Sequence, residues 1–191
     1  MAAEATLELP RLEQVRERLR DRDWREVTTE ELARAAGLSR MTLHRRGLAK
    51  AEILAQLGAE LEAEHREAAF AALVLRAPAR ERLQRALEAM CDVNERYLRI
   101  IDALGTAIQV LFHEPGDGPV MTRATFTEAL RRIVEDGVAE GTVEAEDPVE
   151  LATLLFNATS HTYRHMRTGH HWPPERARER VVALLLDGVV R

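Results

Sequence analysis

The residues best equipped for chemistry lie between Thr28 and Lys50. Arg40, Arg45 and Arg46 carry guanidinium groups, which pair with phosphate oxygens or with the acceptor edge of guanine. Thr42 and His44 add hydrogen-bonding groups, while the Thr42 methyl and the Met41 thioether suit apolar contact with a thymine methyl. Leu43 is left to anchor this segment on the opposite side. Thr28 and Thr29 stand at a predicted helix start, where hydroxyl and backbone N–H groups together can donate to a phosphate. A helix, a turn at Gly37 and a second short helix make the helix-turn-helix pattern, whose second helix enters the major groove by its N-terminal residues. The competing reading is a structural hairpin with a solvated arginine face.

Other groups are less complete. His161 and His165 are four apart on one predicted helix, a spacing that can hold zinc, and His170 and His171 follow. No cysteine lies near them and there is no His-Glu-x-x-His motif, so no metal site is expected. Glu62-x-x-His65 resembles half of a di-iron carboxylate motif, but no second Glu-x-x-His completes it. A Gly-rich phosphate loop and a Gly-x-Ser-x-Gly elbow are also lacking. The chain is therefore not expected to be an enzyme or to need a cofactor.

The elements that must position these residues are helical. Of 191 residues, 46% are apolar, 31% charged and only 4% aromatic, and Ala, Leu, Arg and Glu lose little rotamer freedom in a helix. The net charge is −5, unevenly spread: through Ala55 eleven basic residues face ten acidic ones, and beyond it 16 face 22. A near-neutral N-terminal part binds phosphates if its cations gather on one face. Cys91 is the only cysteine, which points to a reducing compartment and a small buried apolar role. Met1–Pro10 holds no basic run, and the apolar stretches at 68–75 and 181–190 are too short to span a bilayer, so a cytoplasmic protein without membrane contact is expected.

Apolar spacing places a first helix at 11–21, facing Leu12, Val15 and Leu19 inward. Thr28 and Glu31 fit a capping box opening a helix from Thr29 to Ala36, which Gly37 ends. Ser39 caps the next, Arg40 to Arg46. A long helix is predicted from Lys50 to about Leu75, with Leu54, Leu57 and Leu61 in register, and another from Ala79 to Leu98. Two short helices break at Gly105, 113–119 is a loop, and helices follow at 120–140, from Pro148 to Thr168 and from Pro174 onward.

The segment from Thr28 to His44, with Leu32-Ala33, Ala36-Gly37-Leu38-Ser39 and a closing Leu43-His44-Arg45-Arg46-Gly47-Leu48-Ala49-Lys50, resembles the DNA-binding segment of the TetR family of transcriptional regulators. The likeness is specific over residues 10–60 and looser beyond. It implies an all-α fold of nine to ten helices: a three-helix DNA-binding domain at 1–50 and a ligand-binding and dimerisation domain at 51–191. It also implies that Lys50, the only lysine, contacts phosphate, and that His44 and Arg46 do so in place of the family's Tyr and His. Gly47 replaces the family's Phe. Losing a buried ring removes packing worth about 3–5 kcal/mol unless Leu48 or Trp24 fills the space.

The helices from Pro148 and Pro174 have apolar arcs too wide for one partner surface. Leu151, Leu155, Phe156, Tyr163, Val182, Leu185, Leu186 and Val189 are therefore expected at a homodimer interface of four helices. The resemblance places a ligand pocket among the middle helices, walled by Leu87, Met90, Asn94, Phe112, Phe126, Asn157 and His161. Such a mainly apolar cavity suits a hydrophobic or aromatic effector better than a sugar phosphate. The implied function is a ligand-responsive repressor that binds a palindromic operator on double-stranded DNA. The alternative is a helical adaptor dimer whose DNA binding is weak or lost.

Overall fold

A computed structural model describes residues 7–105, 112–113 and 122–189. Among them are nine α-helices: α1 Leu9–Arg18, α2 Thr29–Ala35, α3 Arg40–Arg45, α4 Lys50–Leu73, α5 Ala79–Arg96, α6 Leu98–Leu104, α7 Ala124–Ala139, α8 Pro148–Thr168 and α9 Pro174–Val189. α1 begins earlier than the spacing predicts because Pro10 suits a first helical turn. The break expected at 23–27 contains a 3-10 turn, Trp24–Glu26, whose Arg25 N–H donates to the Asp23 side chain. α6 stops at Gly105 as expected, whereas a second helix after it and the 114–119 loop lie outside the described residues. No described helix is long and apolar enough to cross a membrane.

The chain divides into two compact units, Met1–Leu61 with Tyr97–Leu111, and Glu62–Arg96 with Phe112–Arg191. In the first, Leu12, Val15, Trp24, Leu32, Leu43, Leu48, Ile53 and Leu57 form the buried interior. α6 belongs to this unit, packing against the 3-10 turn. Arg16 of α1 is buried and does three things at once. It donates to the Tyr97 hydroxyl at 2.7 Å, lies over that ring at 5.1 Å and meets the Glu60 carboxylate at 3.4 Å. A buried guanidinium is tolerated because it is paired on every side.

In the second unit α8 packs against α5, α7 and α9. Its core runs through Leu83, Leu87, Met90, Phe126, Leu130, Ile133, Phe156, Tyr163 and Val182. Two polar clamps hold the helices in register. Arg82 of α5 donates to Asp136 at 2.8 Å, and Glu140 accepts from the Ala79 N–H at 2.9 Å. Glu95 accepts both Arg167 donors, at 2.7 and 2.8 Å, and the Tyr163 hydroxyl at 2.9 Å. Phe112 is pinned by its carbonyl, which accepts from the Arg123 N–H at 2.8 Å beside an isolated bridge between His113 and Thr122. Burial pushes the Cys91 thiol up to about 12, so it stays protonated and unreactive.

Candidate functional site

The local chemistry of α2 and α3 is what the sequence spacing requires. The Glu31 N–H donates to Thr28 Oγ1 at 3.2 Å, and the Thr28 N–H donates back to Glu31 Oε2 at 2.9 Å, closing the capping box. Ser39 Oγ accepts from the Thr42 N–H at 3.1 Å. Gly37 ends α2 with φ +64°, where the Leu38 N–H donates to the Ala33 carbonyl at 2.8 Å. Gly47 does the same for α3: its φ is +65°, its N–H donates to His44, and the Leu48 N–H donates to the Leu43 carbonyl at 3.1 Å. This is a Schellman ending, and its usual apolar contact is available because Leu43 and Leu48 are both buried. Leu48 and Trp24 are both buried in the interior of this unit.

The outward side of α3 is open. Arg40, His44, Arg45 and Arg46 are exposed, Thr42 is half-buried, and Met41 is 79% exposed. Among the described residues no carboxylate meets these three arginines, and the neighbouring sequence offers none: from Leu32 to Ala51 it contains no acid. The surrounding arginines are spent otherwise. Arg11 donates to the Ala36 carbonyl at 2.7 Å, Arg18 to the Arg34 carbonyl at 2.9 Å, and Arg22 pairs with Glu31 at 3.0 Å. Lys50 Nζ donates to the Arg25 and Val27 carbonyls at 3.1 and 2.9 Å, fastening the 3-10 turn to the start of α4. An ammonium has three donors, so one remains for a phosphate. Thr28 and Thr29 are exposed at the start of α2.

The pocket residues expected in the second unit divide by burial. Leu87, Met90, Asn94 and Phe126 are fully buried, Phe112 and Asn157 half-buried, and His161 exposed. Asn94 is satisfied by the Met90 carbonyl at 2.8 Å, and Asn157 by Thr122 Oγ1 at 2.8 Å and the Thr153 carbonyl at 2.9 Å. One buried group without a partner is His65 of α4. Its ring is 2% exposed, both nitrogens lack a hydrogen-bond partner, and Phe112, Phe126 and Phe156 surround it at 6.2, 6.1 and 5.6 Å between ring centroids. Burial drives its pKa down to about 3, with Glu64 opposing and Arg96 assisting, so the ring is neutral. An unsatisfied buried polar group costs on the order of 1–3 kcal/mol. A signal for His65 was available: it continues the inward register of Leu57 and Leu61 and precedes Ala69, so it is a histidine on a core stripe.

The expected interface residues are mostly interior. Leu155, Phe156, Tyr163, Val182 and Leu186 are buried within their own subunit, Leu151 and Leu185 are half-buried, and the Val189 side chain lies outside the described residues. The large apolar side chains that α8 and α9 leave in solvent are Val149, 44% exposed, Leu154, 58% exposed, and Leu184, 70% exposed. None of these three is among the residues expected at the homodimer interface. His165 and His170 stack edge to face at 5.0 Å, and no group of three metal-binding side chains occurs among the described residues.

Residues 76–189 match the family model of the tetracyclin repressor-like C-terminal domain, which covers more than half of the chain. The chain belongs to the TetR family. This TetR-family protein is accordingly a DNA-binding transcriptional regulator and not an enzyme. Solved structures share its fold. A TetR-family transcriptional regulator from Thermus thermophilus is 20% identical, with a TM-score of 0.67 over 95% of this chain and 99% of that one. The ketosteroid transcriptional regulator of Mycobacterium tuberculosis is 18% identical, with a TM-score of 0.65 over 100% of both chains. A transcriptional regulator from Cytophaga hutchinsonii is 10% identical, with a TM-score of 0.68 over 95% of this chain and 97% of that one. No curated protein matches the sequence significantly.

Proposed function

We propose that this TetR-family regulator is a cytoplasmic repressor that binds a palindromic operator as a homodimer and is released by a small apolar or aromatic effector. DNA binding is assigned to residues 1–50, and effector binding and dimerisation to 51–191. The observation that carries the reading is the outward side of α3, where three arginines that meet no carboxylate among the described residues and an exposed Met41 surround a helix anchored by Leu43. Arg40, Met41, Thr42 and His44 are assigned to the major groove, and Thr28, Thr29, Arg45, Arg46 and Lys50 to the flanking phosphates. Leu154 and Leu184 supply apolar surface for a second copy. With α3 closed by its own Schellman ending, Gly47 gives no reason to prefer an adaptor that has lost DNA binding.

Release follows if the effector binds more tightly to a subunit arrangement whose two α3 helices no longer match successive major grooves, about 34–36 Å apart. The test is selection of random duplex DNA by the intact protein at about 0.15 M salt, which suppresses non-specific phosphate binding. A palindrome with half-sites one helical turn apart is expected, and its binding should weaken for Arg45→Ala with a salt slope shallower by about one. Failure to enrich any sequence overturns the reading.

A further inference from the structure

The N-terminal unit holds a polar cavity of about 280 Å³ between the 3-10 turn and α6, walled by Asp23, Trp24, Arg25, Arg99, Asp102 and Ala103. Drug-sized sites run from roughly 300 to 1,000 Å³, so this one suits a smaller molecule. Its charges are of both signs, and half of them are already matched. Arg25 donates to the Asp23 carboxylate from Nε at 3.1 Å and from Nη2 at 2.8 Å, and holds that carboxyl down at about 2. Arg99 and Asp102, three residues apart on α6, are exposed and enter no hydrogen bond or ion pair among the described residues. Trp24 is 6% exposed, and its indole N–H is buried without an acceptor. A buried donor left unpaired favours a ligand that brings it an acceptor.

We infer that this cavity is a small-molecule site of the N-terminal unit, separate from the effector pocket, and that its ligand is a small zwitterion of the α-amino acid type. Arg99 offers a guanidinium fork to a carboxylate, Asp102 a carboxylate to an ammonium, and the indole N–H a donor to a second carboxylate oxygen. A plain anion would leave Asp102 repelling it, and a plain cation would meet the same opposition from Arg99. A ligand carrying both charges a few ångströms apart answers both groups, which α6 presents as neighbours on its surface. An apolar effector finds little here beyond the Trp24 ring and the Ala103 methyl. The walls come from α6 and from the turn that runs into the Thr28 cap of α2, a turn that Lys50 already holds by the Arg25 and Val27 carbonyls. A bound zwitterion fastens that turn to α6 as well. Less ordering is then left to DNA binding, so the ligand is expected to tighten operator binding. That consequence alone rests on the regulator proposed above.

The intact protein is titrated calorimetrically with L-glutamine, with 4-carbamoylbutanoate, which lacks the ammonium, and with 4-aminobutanamide, which lacks the carboxylate. L-Leucine, 4-methylpentanoate and 3-methylbutylamine repeat the series on an apolar side chain. At least one amino acid should bind about tenfold more tightly than both of its analogues, because each deletion strands a charge of the site. Arg99→Gln should cut the advantage over the amine to within about twofold, and Asp102→Asn should do so for the advantage over the acid. Both side chains are exposed, so the variants should fold. A readout that needs no variant is the ¹H–¹⁵N spectrum. Of the two indole signals, that of Trp24 should move on saturation, and that of Trp172, in the other unit, should stay. The inference is overturned if neither amino acid binds, if an analogue lacking one charge binds as tightly as its parent, if the variants keep both advantages, or if the Trp24 signal stays put. The titrations need no operator, so absence of operator enrichment fails the regulator reading alone.

Discussion

Gly47 shows how one residue can be misjudged by its neighbours in a family. Its replacement of a Phe looks like a lost core ring, yet its φ of +65° makes it the residue that ends α3. A side chain in that conformation costs about 1–2 kcal/mol. Gly47→Phe, which restores the family residue, should therefore lower stability by about that amount, measured by urea denaturation. Leu48→Ala should cost more, about 2–5 kcal/mol, because it empties a buried site. His65 has a different signature. Its folded pKa is near 3 and its ordinary value is 6.5, so between these limits the unfolded chain binds more protons. Stability contributed by the neutral ring is complete above about pH 6.5 and is lost as pH falls toward 3. The stability difference between wild type and His65→Phe should change with a slope approaching about 1.4 kcal/mol per pH unit below pH 6. A pH-independent difference would mean that the ring is solvated or paired.

At the scale of elements, polar clamps decide which helices move together. Glu95 holds α5 to α8 through a two-donor grip on Arg167 and the Tyr163 hydroxyl, and it is mostly shielded from solvent. Glu95→Ala leaves a guanidinium and a phenol short of their acceptor, and should destabilise the protein by about 2–3 kcal/mol in thermal or urea unfolding. Tyr163→Phe removes only the neutral member and should cost about 1 kcal/mol. Within the N-terminal unit Arg16 makes the corresponding tie, joining α1 to Glu60 of α4 and to Tyr97 at the start of α6. A movement of α6 would thereby reach the helices that carry α3.

For the molecule as a whole, the proposed function requires two copies presenting α3 at a fixed separation. Leu154→Glu and Leu184→Glu place charges on side chains that are exposed in one subunit, so each variant should stay folded. Together they should convert the dimer to monomer in sedimentation equilibrium and reduce operator affinity by more than about a hundredfold, since each half-site then binds alone. A double variant that remains dimeric would move the interface away from these faces of α8 and α9.

The short-range structure was legible in the sequence. Thr28 with Glu31, Ser39, Gly37 and the proline starts of α8 and α9 act within about four residues of chain, so their spacing alone determines where helices begin and end. The family-like segment, the all-α class and the outward cations of α3 follow from the same local rules. Burial is another matter. The apolar arcs of α8 and α9 were wide enough to suggest a partner, but only packing against α5 and α7 decided that Phe156, Tyr163 and Val182 turn inward while Leu154 and Leu184 stay in solvent. The isolation of His65 also arises from tertiary structure, because Phe112, Phe126 and Phe156 reach it from across 47 to 91 positions of sequence. Capping is settled by the nearest turn of backbone; desolvation is settled by whatever the rest of the chain brings alongside.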